Sequence, residues 1–197
     1  GHHGYTPANG ILPLREAVAA DLAARRGVEV DPGCVLIVPG GKVTMFFAML
    51  MAGEPGAEIL YPDPGFPIYR SAIEFSGATP VPIELHEERG FSFSADEVLD
   101  KLNERSRLLI INSPGNPTGG VIDDGELDRL VAGLEAFPDV AVLSDEIYCR
   151  LLFDNQRHRS LLTYESIRDR LIVLDGWSKT YAMTGWRAGY GIWPHSL

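Results

Sequence analysis

Cysteine is scarce in this chain. Cys34 and Cys149 are the only two in 197 residues, too few for a disulfide framework or a Cys-rich zinc site, so a reducing compartment, the cytoplasm, is expected. Long hydrophobic runs are missing as well. The longest, Val43 to Ala52, falls well short of the roughly 20 residues that cross a bilayer, and no membrane partner is expected. The opening residues do not read as a secretory leader. Basic residues are outnumbered, with 17 Lys and Arg against 27 Asp and Glu and a net charge of −10. Nucleic acids and anionic membranes select clustered Lys and Arg, so neither is an expected partner. The acidity is scattered and serves solubility. No internal repeat, low-complexity segment or linker interrupts the chain. His2 and His3 come without the further ligands that a metal site needs, and no metal is expected; a tag remnant and native sequence both remain open for them.

The remainder is ordinary for a globular protein: 45% hydrophobic and 22% charged residues. The length fits one large domain over 1–197 with an ample core. Apolar runs read as buried strands at Val35–Val38, Glu58–Tyr61, Leu108–Asn112, Val140–Ser144, Leu171–Leu174 and Ala188–Ile192. Helical patterns lie between them. Leu14–Arg26 puts Leu14, Val18 and Leu22 on one stripe; Asp123–Phe137 opens on capping aspartates and turns Leu127, Leu130, Val131 and Leu134 inward. Val43–Ala52 is apolar all round and predicts a buried helix. Ser94 with Glu97 predicts a capping box at the start of Ser94–Leu102. This alternation predicts an α/β fold, a mostly parallel sheet flanked by helices.

Ligands of such sheets bind beyond the carboxyl ends of the strands. The polar residues that follow the apolar runs are therefore the candidates. Pro39-Gly40-Gly41-Lys42 follows the first strand, Asn112 to Gly119 the one ending at Ile111, Ser144-Asp145-Glu146-Ile147-Tyr148 the next, and Asp175-Gly176-Trp177-Ser178-Lys179 the last. Together they offer an anion cradle, an amide, a carboxylate, a phenol and an amine. Lys179, with Arg187 a little further on, suits an aldehyde cofactor that carries a phosphate: an amine forms a Schiff base, and a guanidinium holds phosphate through paired hydrogen bonds. Each residue taken singly has a plainer reading. Gly40-Gly41-Lys42 also reads as a tight turn and is not a nucleotide P-loop. Asn116 before Pro117 suits a turn, Asp145 a helix cap, Tyr148 the core, Arg187 a surface ion pair and Lys179 solvent. A carboxylate ending a hydrophobic strand nevertheless calls for a cationic partner.

The ordered strings resemble pyridoxal-phosphate-dependent aminotransferases of fold type I, class I/II, the aspartate aminotransferase superfamily. They are Tyr5-Thr6-Pro7-Ala8-Asn9-Gly10 with Leu14-Arg15-Glu16-Ala17, Gly40-Gly41-Lys42, Tyr61 to Tyr69, Asn116-Pro117-Thr118-Gly119, Ser144 to Tyr148, and Ser178 to Gly189. The resemblance implies the large-domain fold of that family and pyridoxal 5'-phosphate as cofactor. It makes Lys179 the Schiff-base lysine and proton carrier, and Asp145 the carboxylate facing the pyridine nitrogen. Asn116 and Tyr148 become the donors to the phenolate oxygen and Phe66 the stacking aromatic. Arg187 and the backbone of Gly40, Gly41 and Lys42 become the phosphate site. Tyr5 is implied to reach the phosphate of a neighbouring subunit, hence a homodimer with shared sites. Where some relatives have a phosphate-binding serine three residues before the lysine, this chain has Gly176, and Ser178 is the substitute.

Family members resembling this chain are roughly twice as long, in keeping with a two-domain plan. Both ends of the chain read as cut points, and the resemblance places an N-terminal arm and a small domain, with the arginine that grips the substrate carboxylate, outside it. The leading expectation is an aminotransferase working on an amino acid and a 2-oxo acid, although the piece alone would be inert if half of its site is absent. The alternatives are a C–S lyase or synthase on the same scaffold, and a non-catalytic effector domain of a transcription regulator.

Overall fold

A computed structural model describes residues 3–197; His2 lies outside the described residues, and His3 is exposed. Seven strands form one mixed sheet: β1 (Val35–Val38), β2 (Glu58–Asp63), β3 (Thr79–Glu84), β4 (Ser106–Asn112), β5 (Ala141–Asp145), β6 (Leu171–Gly176) and β7 (Gly189–Ile192), in the order β1-β7-β6-β5-β4-β2-β3. Strands β3, β2, β4, β5 and β6 are mutually parallel. Strand β7 runs antiparallel to both β6 and β1. It follows β6 by a reversal rather than a crossover, so the loop 177–188 leaves and re-enters the sheet at the same edge, between the paired Gly176 and Gly189.

The central strands are buried on both faces, which explains their unbroken apolar runs. Alternate side chains serve different layers. Leu109, Ile111, Val142 and Val173 pack in a core with Leu22 of α1 (Leu12–Arg26), Val98 of α4 (Ala95–Lys101) and Leu130 of α5 (Asp124–Gly133). Leu108, Ile110, Leu143 and Ile172 face the other way, onto Met45 and Met49 of α2 (Lys42–Ala52) and Tyr69 and Ile73 of α3 (Ile68–Ser76). No helix among the described residues is long and apolar enough to cross a membrane.

Several sequence expectations need correction. Helix α2 buries Thr44, Met45, Ala48 and Met49, but Phe47, Leu50 and Met51 are exposed, so it is apolar all round without being buried all round. The capping box does not form: Ser94 makes no cap hydrogen bond, the Ala95 N–H donates to Glu126 Oε2 at 2.7 Å, and Glu97 pairs with Arg89. Asp123 does cap α5, accepting from the Gly125 N–H at 2.8 Å. The α-helix there ends at Gly133, and a 3-10 turn carries Leu134 into the core. Strand β3 went unread because Pro80 and Pro82 interrupt its apolar pattern. Prolines are tolerated there because β3 is the edge strand.

Candidate active site

Strands β4, β5 and β6 end side by side, with Asn112 opposite Asp145 and Asp145 opposite Leu174. Asn112 ties two loops together. Its Nδ2 donates to the Asp145 carbonyl at 3.0 Å, and its Oδ1 accepts from the Asn116 N–H at 2.9 Å. The Asp145 side chain is only 4% exposed. Its Oδ2 accepts from the Tyr69 hydroxyl at 2.7 Å, and its Oδ1 from the Ile147 N–H at 3.3 Å. Burial pushes this carboxyl up to about 6; the Tyr69 and Ile147 hydrogen bonds oppose the rise, and the charges of Asp175 and Glu146 add to it. Among the described residues no ion pair reaches Asp145.

Strand β1 exits into the glycine turn that starts α2. Gly40 has φ +90°, and a Cβ there would lie 2.2 Å from Arg187 Nη2; a Cβ on Gly41 would lie 2.8 Å from Leu174 Cδ2. Only glycine permits this approach of backbone to guanidinium. The Val43 and Thr44 N–H groups close this turn onto the Gly40 and Gly41 carbonyls at 3.2 and 3.0 Å, which leaves the N–H groups of Gly41 and Lys42 as the helix N-terminal donors open to an anion. Arg187 is itself in the left-handed region, with φ 51°, and its Nη1 donates to the Thr184 carbonyl at 2.7 Å. On the other side of the opening, Lys179 is exposed with its Nζ 5.8 Å from the Tyr148 ring centre. Phe66 meets Tyr69 edge-on at 5.9 Å, and Lys42 Nζ lies 5.3 Å over the Phe66 ring.

One cavity of about 450 Å³ joins these groups: Gly41, Lys42, Phe66, Asn116, Asp145, Tyr148, Ser178, Lys179 and Arg187 all line it. Gly40 stands just behind, against Arg187. Tyr5 is fully exposed and does not line the cavity. Tyr69 and Thr184, which also line it, had no site role in the sequence expectations, and Asn112, a candidate by its place after a strand, had no specific one. Tyr69 lies on the first turn of α3, its N–H donating at 3.0 Å to the carbonyl of Phe66 in the loop before the helix. Asn112 closes an apolar run, as Asp145 does.

A second polar cluster lies directly behind the cavity wall. Arg26, the last residue of α1, reaches Glu146 at 2.5 Å and Asp175 at 2.8 Å. Glu146 also accepts from the Ser144 and Ser160 hydroxyls, both at 2.9 Å, and from the Leu161 N–H at 3.1 Å. Asp175 accepts from the Tyr190 hydroxyl at 2.9 Å and its own neighbour, the Gly176 N–H, at 2.7 Å. Burial raises the Asp175 carboxyl while Arg26 opposes that rise, and burial lifts the adjacent Cys149 thiol to about 11. The cluster gives both loops that carry Asp145 and Lys179 a fixed footing on α1. No sequence pattern announces it, since Arg26 and Asp175 are separated by 149 positions.

A family model described as aminotransferase class I and II matches residues 1–196. The aspartate aminotransferase of Pyrococcus abyssi is 37% identical over 191 residues, covering 96% of this chain and 49% of that protein. The solved aromatic aminotransferase of Pyrococcus horikoshii OT3 superposes with a TM-score of 0.91 at 35% identity, over 97% of this chain and 51% of that one. The N-succinyldiaminopimelate aminotransferase structure from Mycobacterium tuberculosis gives 0.91 at 35% identity, over 97% of this chain and 50% of that one. The chain thus spans about half the length of the relatives it matches.

Proposed function

This chain belongs to the class I and II aminotransferase family, and we propose that the protein it forms part of is a transaminase that moves an amino group between an amino acid and a 2-oxo acid. Members of the family use pyridoxal 5'-phosphate. The observation that carries the reading is Asp145: a buried carboxylate without a cationic partner, open to the cavity that also holds Lys179 and Arg187. That donor set fits the cofactor. An ionised Asp145 is relieved by a protonated ring nitrogen, and the glycine turn with Arg187 suits a phosphate.

When bound, the cofactor supplies an electron-poor ring that stabilises negative charge developing at the substrate α-carbon. The chain supplies the rest. Asp145 would hold a proton on the ring nitrogen, and Tyr69 keeps that carboxylate oriented. Asn116 and Tyr148 would donate to the phenolate oxygen, and Phe66 would stack against the ring. The N–H groups of Gly41 and Lys42 and the Ser178 hydroxyl would hold the phosphate and Arg187 would add its charge, with Gly40 shaping the turn while its own N–H donates to the Val38 carbonyl at 2.8 Å. Lys179 Nζ would be the atom that anchors the cofactor and carries the proton to and from the α-carbon.

We read the chain as the large, cofactor-binding part of a two-domain protein of the cytoplasm, where its free thiols Cys34 and Cys149 stay reduced. We also read it as one half of a homodimer. The exposed Phe47, Leu50 and Met51 of α2, beside Phe75 of α3, form an apolar face suited to a second copy, and Tyr5 is free to reach the neighbour's site.

The test is stepwise turnover by the intact protein. An amino acid and then a 2-oxo acid are expected to cycle it with ping-pong kinetics. Lys179→Ala is expected to abolish the visible cofactor absorbance and lower turnover by about 10²–10⁴-fold. Release of ammonia and pyruvate would point to a lyase, and cofactor binding without any turnover to an effector domain; either result overturns the transaminase reading.

A further inference from the structure

The edge of the sheet opposite the cavity gathers a second set of reactive side chains. Strand β1 begins there and β7 ends there. We propose that Asp31, Cys34 and His195 bind a divalent transition ion of zinc-like character, independently of the cofactor site. A carboxylate oxygen, the thiol sulfur and an imidazole nitrogen all lie within 4.8 Å of one another, with His195 Nε2 3.1 Å from Asp31 Oδ2. A tetrahedral zinc ion needs its ligand atoms roughly 3.3–3.8 Å apart, given bonds of about 2.0–2.3 Å. Small rotamer changes close that gap.

The backbone already holds the ligands in place. Asp31 and Cys34 bracket the 3-10 turn Pro32–Cys34. A 3-10 helix repeats every three residues, so these two side chains fall on the same side of it. The turn is fixed by Pro32, by the Cys34 N–H donating to the Asp31 carbonyl at 2.8 Å, and by the Gly33 N–H donating to Asp31 Oδ1 at 2.7 Å. The third ligand arrives from far along the chain, 164 positions from Asp31. Strand β7 pairs Ile192 with Val35, and the Trp193 N–H donates to the Cys34 carbonyl at 2.9 Å, which extends the register past the strand ends and brings His195 to the turn. That separation is why the sequence predicted no metal site.

One sulfur, one nitrogen and one oxygen ligand select a borderline-soft ion such as zinc and leave a fourth position for water. Forming the metal–sulfur bond sends the thiol proton of Cys34 to the buffer. Asp31 and His195 are exposed and Cys34 is half-buried, so the ion can enter from solvent. Once bound it would clip the start of β1 to the end of β7.

The experiment uses the intact, cofactor-loaded protein after chelator treatment, with zinc and then cobalt as probes. One zinc per chain is expected, with cobalt giving a thiolate-to-metal absorbance in the near ultraviolet. Cys34→Ser and His195→Asn should each weaken zinc at least tenfold and remove or reduce that absorbance. Zinc should raise the melting temperature of the parent protein and not that of Cys34→Ser. A variant with His2→Ala and His3→Ala should bind as the parent does. Turnover should stay unchanged in all of these variants. Failure to bind zinc, equal affinity in Cys34→Ser, or loss of binding in the His2/His3 variant would overturn the proposal.

Discussion

Asp145 and Glu146 are adjacent in the chain and equally withdrawn from water, yet they keep different company. Glu146 faces the cluster behind the sheet edge, where Arg26, Ser144, Ser160 and the Leu161 N–H occupy its oxygens. Asp145 faces the cavity, where a phenol and one N–H bond its oxygens and, among the described residues, no cation pairs with it. A buried charge with a full set of partners holds structure together. A buried charge without them stores an unmet electrostatic demand, which is what a binding site needs. Two consecutive residues on one strand end thus divide scaffold from site.

The largest effect should come from breaking the satisfied half. Arg26→Met removes the close cation from Glu146 and leaves Asp175 only the longer Arg25 pair at 3.7 Å, and stranding a buried carboxylate is expected to cost about 3–5 kcal/mol of stability. Urea denaturation measures it; a loss below about 1 kcal/mol would mean that the cluster is no better compensated than a surface pair. Next in size is the pH response of the unsatisfied half. The Asp145 carboxyl lies near 6 when folded against an ordinary 3.8, so folding takes up a proton in that window. Cofactor-free protein should therefore lose stability as pH rises from about 4 to about 6, by up to about 3 kcal/mol. Asp145→Asn should lack that component, and saturating cofactor should suppress it in the parent protein. Denaturation midpoints across this range report it, and identical pH profiles for parent and variant would erase the contrast. The smallest effect is expected from Tyr69→Phe, which deletes the hydroxyl bonded to Asp145. A loss of about 2 kcal/mol at neutral pH follows from a hydrogen bond to a charged group. With that support gone the Asp145 carboxyl rises further, so the decline in stability should shift to higher pH. No shift in the profile would show that Tyr69 merely fills space.

Much of the fold was legible because the central strands are buried on both faces. Leu108 to Asn112 or Leu171 to Leu174 can hardly be anything else when followed by turn residues. The cavity residues were legible for a related reason: each follows such a run, and parallel strands bring their carboxyl ends together. What escaped depended on information that no local pattern carries. The prolines of β3 are acceptable only at a sheet edge, and the edge is a property of the whole sheet. The exposed side of α2 looks in sequence just like its buried side. The Ser94 cap lost its role to Glu126, a competitor from another helix. Arg26 and Asp175 meet only after the sheet has formed, as do Asp31 and His195.

The antiparallel β7 has a consequence for how this site can change. Lys179 and Arg187 lie on a single excursion of chain pinned at the paired Gly176 and Gly189, where a Cβ on Gly176 would come within 2.9 Å of the partner's Cα. Amine and guanidinium therefore behave like the two jaws of a calliper whose hinge is clamped. Lengthening or shortening the segment between them would reset the gap without moving any strand, and transplanting that one segment would carry both jaws together.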